Sequence, residues 1–271
     1  MNDLEKPIAV GRTAEIFSFG NGKVLKLFFP TIPQSWIQKE VDTGRFIMNS
    51  HLPVPNVYEK VYLHDREGLV YERIEGPSLL NELAKKPWKF VKYARMLAMS
   101  HVKIHDVTAP AELEPQREWA RGGIPETTKL PEDLRERVLH LLDSMPEGNQ
   151  LCHGDFHPGN IILSQRGPIV IDWMTATRGV PSGDVARSAI ILEAAQVPEG
   201  TPMRWLVQWI RKVILATYLK TYFQLRPNEK KSFVAWRTIM AANFLADVSL
   251  PEEEASLKAI ILRGIGPLAG S

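Results

Sequence analysis

The stretch Leu151–Trp173 reads LCHGDFHPGNIILSQRGPIVIDW and decides the fold. Its two apolar runs, 161–163 and 169–171, are typical of short buried strands, and the turn residues between them predict a β-hairpin. Asp155 and Asn160 lie in the loop that enters the first strand, and Asp172 follows the second strand. We therefore expect three oxygen-bearing side chains to converge on a rigid support.

The loop before the hairpin has the composition of a sharp turn. Four residues separate Asp155 from Asn160; among them Pro158 restricts the residue before it and Gly159 tolerates a positive φ. Carboxylate and carboxamide oxygens are hard ligands that suit Mg²⁺, an ion that shares its coordination shell with substrate phosphates. The alternative is that these side chains only cap turns and end a strand.

The motif 153–160 and its surroundings resemble a known family. HGDFHPGN resembles the catalytic loop of the aminoglycoside phosphotransferase and choline kinase family, relatives of the protein kinases, whose loop reads HRDxxxxN. The tripeptide 171–173 resembles the family's equivalent of DFG, and residues 179–186 resemble its continuation, in which an Asp begins a helix. The resemblance implies that Asp155 is the catalytic aspartate and that Asn160 and Asp172 hold Mg²⁺ on a nucleoside triphosphate, ATP or GTP.

The same resemblance implies an α+β, bilobal protein-kinase-like fold. A small antiparallel sheet with one helix would form an N-terminal nucleotide-binding lobe over residues 1–75. A larger, mainly helical lobe over residues 76–271 would carry the catalytic loop and the acceptor site. The residue patterns agree, because strand-like runs separated by turns extend to Ile74 and helical periodicity begins after Pro77.

A lysine and a glutamate in the first lobe form a candidate pair. Lys26 is centred in a predicted strand, 23–29, where it must find an anion or reach water. Glu40 lies within the apolar stripe of a predicted helix, 35–48, where a carboxylate is costly unless it is paired. The resemblance implies that Lys26 binds phosphates and that Glu40 positions it. Exposed positions for both side chains remain the alternative.

Two further segments of this lobe are nucleotide-binding candidates. The turn 11–15 stands where kinases carry a glycine-rich loop but holds one glycine, so its amides and the Thr13 hydroxyl are candidates to cover phosphates. In the family, adenine hydrogen-bonds to backbone groups at the position of residues 72–74. Glu72 and Ile74 are therefore candidates for contacts with the base, and a plain linker is the alternative.

The second lobe gives less specific signals. His101 and His105 share the apolar stripe of one predicted helix, so we expect them to be core or boundary residues rather than ligands. Trp205, Trp209 and Trp236 on two later amphipathic helices predict helix packing, with pocket lining as the alternative.

Charge is distributed unevenly over this lobe. Residues 106–150 hold ten acidic and five basic side chains, and residues 198–271 hold ten basic and six acidic ones. An acidic wall would suit a cationic acceptor, although a solvated helix face explains the acidic excess more simply. The basic tail argues against a polycationic aminoglycoside as the acceptor.

Composition adds broad limits. With 44% hydrophobic and 24% charged residues, the chain has the profile of a soluble globular protein. A net charge of +2 gives no electrostatic case for binding nucleic acid or membrane. The single cysteine, Cys152, excludes an intrachain disulfide, and we expect it to be buried. The chain shows neither an N-terminal apolar signal region nor a run of membrane-spanning length, so we expect a cytoplasmic protein.

Three functions follow from these patterns. The first is an ATP-dependent phosphotransferase that acts on a hydroxyl of a small molecule, such as a choline-like amine, an amino alcohol, a sugar or an antibiotic. The second is a metal-dependent phosphohydrolase that uses His153, Asp155, His157 and Asp172 as ligands. The third is a catalytically silent nucleotide-binding pseudokinase, which the sparse glycine loop favours.

Overall fold

The computed structural model describes residues 6–126, 128–194, 203–248 and 250–266. The chain divides into two compact units. The first comprises Met1–Asn81 with Gly159–Thr175, and the second comprises Glu82–Pro158 with Ala176–Ser271. The hairpin predicted from the deciding stretch therefore belongs to the same unit as the N-terminal strands. The functional division into lobes 1–75 and 76–271 stays a prediction.

The described residues form strands and helices in the following chain order. They are β1 (Ala9–Val10), β2 (Ala14–Ser18), β3 (Lys23–Phe28), α1 (Gln34–Met48), β4 (Val57–Leu63), β5 (Arg66–Glu72), α2 (Leu79–Lys85), α3 (Phe90–His105), α4 (Gln116–Glu126), α5 (Glu132–Ser144), β6 (Gln150–Cys152), β7 (Ile161–Ser164), β8 (Gly167–Val170), β9 (Thr177–Gly179), α6 (Pro181–Ala194), α7 (Arg204–Leu225), α8 (Lys230–Phe244) and α9 (Pro251–Ile265).

An antiparallel sheet with the strand order β1-β2-β3-β5-β4 forms the centre of the first unit. Positive φ angles at Gly20 and Gly22 allow the tight turn between β2 and β3. Lys26 pairs with Leu69 in the middle of this sheet. Because side chains alternate along a strand, Lys26 shares a face with Phe28, which packs with Ile37 of α1. The lysine therefore lies on the helix-covered face.

The β7–β8 hairpin is fastened to the segment that follows β5. The Leu163 amide donates to the Pro77 carbonyl at 2.9 Å, and Ser78 forms a bridge with Ile162. Gly76 has a φ of +144°, and a Cβ placed there would lie 2.2 Å from the Leu163 carbonyl oxygen. Only glycine fits this close backbone approach.

The second unit is mainly helical. α6 packs on α8, α3 packs on α7, and α8 contacts α4, α5 and α9. Trp236 of α8 is completely buried in the largest core cluster. The short β6–β9 pair lies at the start of the HGDFHPGN loop, with Cys152 opposite Thr177. The predicted burial of Cys152 is confirmed, and so is the α+β class, with its antiparallel N-terminal sheet and helical C-terminal region.

The prediction of helix packing is wrong for Trp205, which is 69% exposed. Trp209 is 52% exposed but meets Phe90 of α3 edge-to-face, with 5.9 Å between the ring centres, so the prediction holds in part for this residue. The buried face of α7 is defined by Ile214, Tyr218 and Tyr222. Trp205 precedes Ile214 by nine residues, and two and a half turns place its side chain on the opposite face. No helix within the described residues has the length and apolarity needed to cross a bilayer.

Candidate functional site

Lys26, Glu40 and Asp172 form an ionic cluster in the first unit. The Lys26 Nζ atom donates to both Glu40 carboxylate oxygens, at 2.8 and 3.0 Å, and to Asp172 Oδ1 at 3.0 Å. Lys26 and Glu40 are 8% and 2% exposed. Burial alone lowers the pKa of Lys26, but the two carboxylates outweigh burial and raise it above its ordinary value. The lysine is therefore a fixed positive charge.

Tyr71 completes this cluster and was missed in the sequence. Tyr71 lies on β5, and its hydroxyl donates to Glu40 Oε1 over 2.7 Å. Burial raises the pKa of Tyr71 well above its ordinary value, and the nearby Glu40 carboxylate adds to that rise. The phenol therefore remains a donor at any physiological pH. Two donors on different strands, Lys26 and Tyr71, hold the α1 carboxylate in one orientation.

Asn160 and Asp172 lie at the open end of the β7–β8 hairpin. The Ile171 amide donates to the Asn160 carbonyl at 3.0 Å, which extends the strand register beyond Ile161 and Val170. Asn160 is 8% exposed, whereas 43% of the Asp172 side chain is exposed. Asp172 has a φ of 64°, a strained conformation that aspartate tolerates better than most residues. The carboxamide oxygen of Asn160 and the carboxylate oxygens of Asp172 are ligands of the kind that Mg²⁺ prefers.

The predicted base-contacting residues line a cleft of the first unit. Its volume is about 560 Å³, and its lining comprises residues 72–76 and 163–166. The Glu72 carboxylate bonds to Arg166 at 2.6 Å and to the Asn56 side chain at 3.1 Å, so it links the sheet to the hairpin. The Glu72 amide donates to the Asn56 carbonyl, and the next amide, that of Arg73, donates to the Gly22 carbonyl.

The turn between β1 and β2 holds the predicted phosphate-covering residue Thr13. The Gly11 amide donates to the Ala14 carbonyl at 2.9 Å, and this bond closes the turn. The Thr13 carbonyl accepts the Phe29 amide at 2.9 Å. The backbone of Thr13 is therefore fixed to the end of β3, and its contact with phosphate stays a prediction.

Asp155 lies in the second unit, in the loop that follows β6. Its amide donates to His153 Nδ1 at 3.2 Å, and its Oδ2 atom lies 3.7 Å from His157 Nε2. Burial raises the pKa of Asp155, but the hydrogen bond and charge of His157, with the charges of His153 and Arg187, outweigh burial and lower it to about 2. Asp155 is therefore an ionised, oriented carboxylate at neutral pH.

Asp184, near the start of α6, braces the same loop. Its carboxylate accepts the His153 amide at 2.6 Å and the Gly154 amide at 2.8 Å. It also lies 2.9 Å from His101 Nε2 and 3.2 Å from His105 Nε2. This single buried carboxylate therefore joins α3 and α6 to the loop that carries the predicted catalytic aspartate.

His101 and His105 are buried, as predicted, at 0% and 1% exposure. Their Nδ1 atoms lie 2.6 Å from the Tyr218 hydroxyl and 2.7 Å from the Tyr222 hydroxyl. Burial lowers the pKa of His105 to about 3, with a further contribution from His101. Burial raises the pKa of Asp184, but the two histidines hold it well below its ordinary value.

These histidines bear on the hydrolase hypothesis. Among the described residues, His101, His105 and Asp184 form a group whose possible metal-ligand atoms all lie within 4.8 Å of one another. Within the same part of the chain, the histidines of the predicted hydrolase set, His153 and His157, do not belong to such a group. Both ring nitrogens of His101 and His105 are already engaged by Asp184 and the tyrosine hydroxyls. The cluster is therefore a hydrogen-bond hub.

Comparisons with known proteins agree with this architecture. The model of the phosphotransferase enzyme family matches residues 5–227. A search of curated protein sequences found no significant match. Several solved structures are similar over nearly the whole chain.

An amicoumacin kinase, hAmiN, in complex with AMP-PNP, Ca²⁺ and Ami is 13% identical, with a TM-score of 0.64, over 95% of this chain and 86% of that one. The streptomycin–ATP–APH(2″)-IIa ternary complex is 17% identical, with a TM-score of 0.59, over 97% and 91%. A choline/ethanolamine kinase family protein from Mesorhizobium loti is 14% identical, with a TM-score of 0.58, over 93% and 84%.

At these identities the structural neighbours establish the fold alone, and they confirm the predicted protein-kinase-like fold. The family model covers far more than half of the chain, from the N-terminal strands through α7. The predicted resemblance to the aminoglycoside phosphotransferase and choline kinase family is therefore confirmed. The chain belongs to the phosphotransferase enzyme family and is a phosphotransferase of the kinase-like kind.

Proposed function

We propose that this protein transfers the γ-phosphate of ATP to a hydroxyl group of a small molecule. The observation that carries the proposal is the ionic cluster of Lys26, Glu40 and Asp172, with bonds of 2.8 and 3.0 Å from one ammonium group. A buried lysine fixed by a glutamate, beside a half-exposed carboxylate, suits a site for a polyphosphate and a divalent cation.

Four site residues of the first unit have a role in this proposal. Lys26, oriented by Glu40, binds nucleotide phosphates, and Asn160 and Asp172 hold Mg²⁺. When bound, Mg²⁺ supplies positive charge that neutralises the phosphate oxygens. Because Lys26 Nζ donates to Glu40 and to Asp172, a nucleotide phosphate would compete with the Asp172 carboxylate for this lysine.

The base is expected at the segment 72–74. The amides of Glu72 and Arg73 already donate to carbonyl groups of the first unit, so recognition by a backbone donor falls to Ile74. Thr13 is the candidate for a hydroxyl contact with the phosphates. Backbone recognition leaves ATP and GTP as the two nucleotides to compare.

Asp155 supplies the acid–base chemistry in the second unit. Its carboxylate accepts the hydrogen bond of the substrate hydroxyl and takes the proton as the new oxygen–phosphorus bond forms. The bond between the γ-phosphorus and the bridging oxygen of ATP breaks, and ADP leaves. Since a pKa of about 2 makes it a weak base, most of its effect comes from orientation of the hydroxyl rather than proton affinity. This fits the loose transition state of phosphoryl transfer.

An ADP-release screen over hydroxylated metabolites and antibiotics, with Mg²⁺ and either ATP or GTP, tests the proposal. The active acceptor then serves to compare Asp155→Asn with Asp133→Asn, an exposed aspartate of α5. We expect turnover to fall by roughly 10² to 10⁴ in Asp155→Asn and to stay unchanged in the control. Wild-type turnover in Asp155→Asn contradicts the assignment.

Phosphate release, metal content and acceptor-dependent ADP release separate the two alternative functions from the proposed one. A phosphohydrolase would release phosphate from organic phosphates without a nucleotide and would carry stoichiometric zinc, iron or manganese. A pseudokinase would bind nucleotide without acceptor-dependent ADP release. Acceptor-dependent ADP release that disappears in Asp172→Ala supports the transferase over both.

A further inference from the structure

Arg187 is a buried cation of the second unit that the sequence patterns did not single out. It lies in α6, three residues after Asp184, and is 7% exposed. Burying a guanidinium is costly unless its donors and its charge are compensated. The contacts of Arg187 therefore show how its hydrogen-bond donors and its charge are compensated.

Aromatic rings enclose the Arg187 guanidinium. Its central carbon lies 5.0 Å from the centre of the Trp119 ring and 4.5 Å from that of the Phe244 ring. The planar guanidinium is well suited to such cation–π contacts. Its Nη1 atom donates to the Asn243 Oδ1 atom at 3.1 Å, and Asn243 in turn donates to the Ala120 carbonyl. Arg187 is therefore anchored to α4 and α8.

Another hydrogen bond joins Arg187 to the loop that carries Asp155. Arg187 Nε donates to the Gly154 carbonyl at 3.3 Å. That carbonyl belongs to the peptide group between Gly154 and Asp155, whose N–H donates to His153 Nδ1 at 3.2 Å. Both polar ends of one peptide group are thus held, one by α6 and one by the loop. The backbone direction from which the Asp155 side chain departs is fixed by these two bonds.

Charge adds to the same effect. The groups that act on Asp155 include His157 and His153 in the loop and Arg187 from α6, and all three favour its ionised form. Asp184, also on α6, binds the Gly154 amide on the other side of the loop. Arg187 therefore supplies a fixed positive charge in a neighbourhood that also contains a buried carboxylate.

We propose that Arg187 is a positioning residue of the phosphotransfer site, which fixes the Gly154–Asp155 peptide group and so aims the Asp155 carboxylate at the substrate hydroxyl. The inference rests on the proposed function. Arg187 does not contact substrate in this proposal. It acts through Asp155, and lysine cannot replace it because a single ammonium group lacks the fork that reaches Gly154 and Asn243 together.

The test compares Arg187→Met and Arg187→Lys with the control Arg237→Met, an arginine of α8 paired with Glu193. With the acceptor found in the screen, we expect kcat to fall by about 10²-fold in both Arg187 variants, the scale of a misplaced catalytic group. The KM for nucleotide should change less than about threefold, because the nucleotide-binding residues are untouched. Wild-type kcat in Arg187→Met or Arg187→Lys overturns the proposal, as does an equal loss in Arg237→Met.

A second readout separates this inference from the proposed function. Carboxyl-carbon NMR, with Asp155→Asn for assignment, follows the titration of Asp155 without any turnover. The pKa of Asp155 should rise in Arg187→Met and stay near the wild-type value in Arg187→Lys, which keeps the charge. If the wild type transfers no phosphate, the proposed function fails, and an unchanged titration in Arg187→Met then overturns the role of Arg187 as well.

Folding defects are addressed by a milder change. If Arg187→Met does not fold, Asn243→Ala removes the Nη1 anchor and leaves the guanidinium in place. We expect a smaller loss of kcat, about tenfold, with little change in the KM for nucleotide, because the guanidinium loses one of its anchors. Unchanged kcat in a folded Asn243→Ala protein contradicts the positioning role.

Discussion

Lys26 Nζ lies 3.0 Å from Asp172 Oδ1, so the lysine proposed to bind phosphate and the aspartate proposed to bind Mg²⁺ are bonded to each other. The same ammonium group also lies 2.8 Å from Glu40 Oε1. One buried cation therefore compensates two carboxylates, of which Glu40 is almost wholly buried. This arrangement has consequences for stability that are independent of catalysis.

Removal of the cation leaves the Glu40 carboxylate buried without its ionic partner. We expect Lys26→Met to lower the free energy of unfolding by about 3–5 kcal/mol, the cost of breaking a buried pair from one side. The control is Arg73→Met, which removes an ion pair with Glu75, an exposed carboxylate of the same unit, and should cost less than about 1 kcal/mol. Urea denaturation measures both, and equal losses would show that the Lys26 cluster contributes no more than a surface pair.

Tyr71→Phe tests the other donor to Glu40. The change keeps the aromatic ring and removes only the hydroxyl that donates over 2.7 Å. A hydrogen bond to a charged group contributes about 1.5–3 kcal/mol, so we expect a loss of stability in that range and weaker nucleotide binding. Tyr62→Phe, which alters a 69% exposed tyrosine of β4, is the matched control. Isothermal titration with magnesium ATP measures nucleotide binding, and urea denaturation measures stability. If Tyr71→Phe and Tyr62→Phe give the same values in both, the Tyr71 hydroxyl does not hold Glu40 in place.

Part of this cluster could be predicted from the sequence. Lys26 stands in the middle of an alternating strand and Glu40 within an apolar helix stripe, so their pairing follows from the cost of burying either charge alone. Tyr71 could not be found in this way. Its approach to Glu40 depends on the pairing of β3 with β5, which places Val24 opposite Tyr71, and a tyrosine in a strand is expected without any special role.

The hub around Asp184 shows the same limit more strongly. The apolar stripe predicted the burial of His101 and His105, but their partners Tyr218 and Tyr222 lie 117 residues further along the chain. No local periodicity specifies which helix packs on which. Arg187 was missed for a related reason, because its enclosure by Trp119 and Phe244 depends on three helices from distant parts of the chain.

The hub should make stability depend on pH. His105 has an ordinary pKa of 6.5 and a folded-state pKa of about 3, so the unfolded chain binds a proton that the folded protein excludes. The contribution of His105 is therefore fully present above pH 6.5 and is lost as the pH falls from about 6.5 toward about 3. The slope should approach about 1.4 kcal/mol per pH unit for one proton.

Chemical denaturation between pH 7.5 and pH 4 measures this slope. His105→Gln keeps a side-chain N–H but removes the titration, so its unfolding free energy should fall less steeply over this range. His140→Gln changes an exposed histidine of α5 and should follow the wild type. Parallel curves for wild type and His105→Gln would show that His105 is not held neutral in the folded protein.

Gly76 provides a test of how the hairpin is fastened to the sheet. Its φ of +144° is unfavourable for other residues, and an added Cβ would lie 2.2 Å from the Leu163 carbonyl oxygen, which belongs to the backbone and cannot rotate away. Gly20 is the matched control, since its φ is +65° but nothing lies within 4 Å of an added Cβ. We expect Gly76→Ala to cost about 3–5 kcal/mol, from backbone strain and the clash together, and Gly20→Ala about 1–2 kcal/mol, from strain alone.

Hydrogen exchange should show faster opening of the β7–β8 amides in Gly76→Ala only, because the Leu163–Pro77 bond lies next to the clash. Equal costs for the two variants would mean that the hairpin can move away from residue 76, and the Asn160 and Asp172 positions would then depend less on this contact than on the strand register.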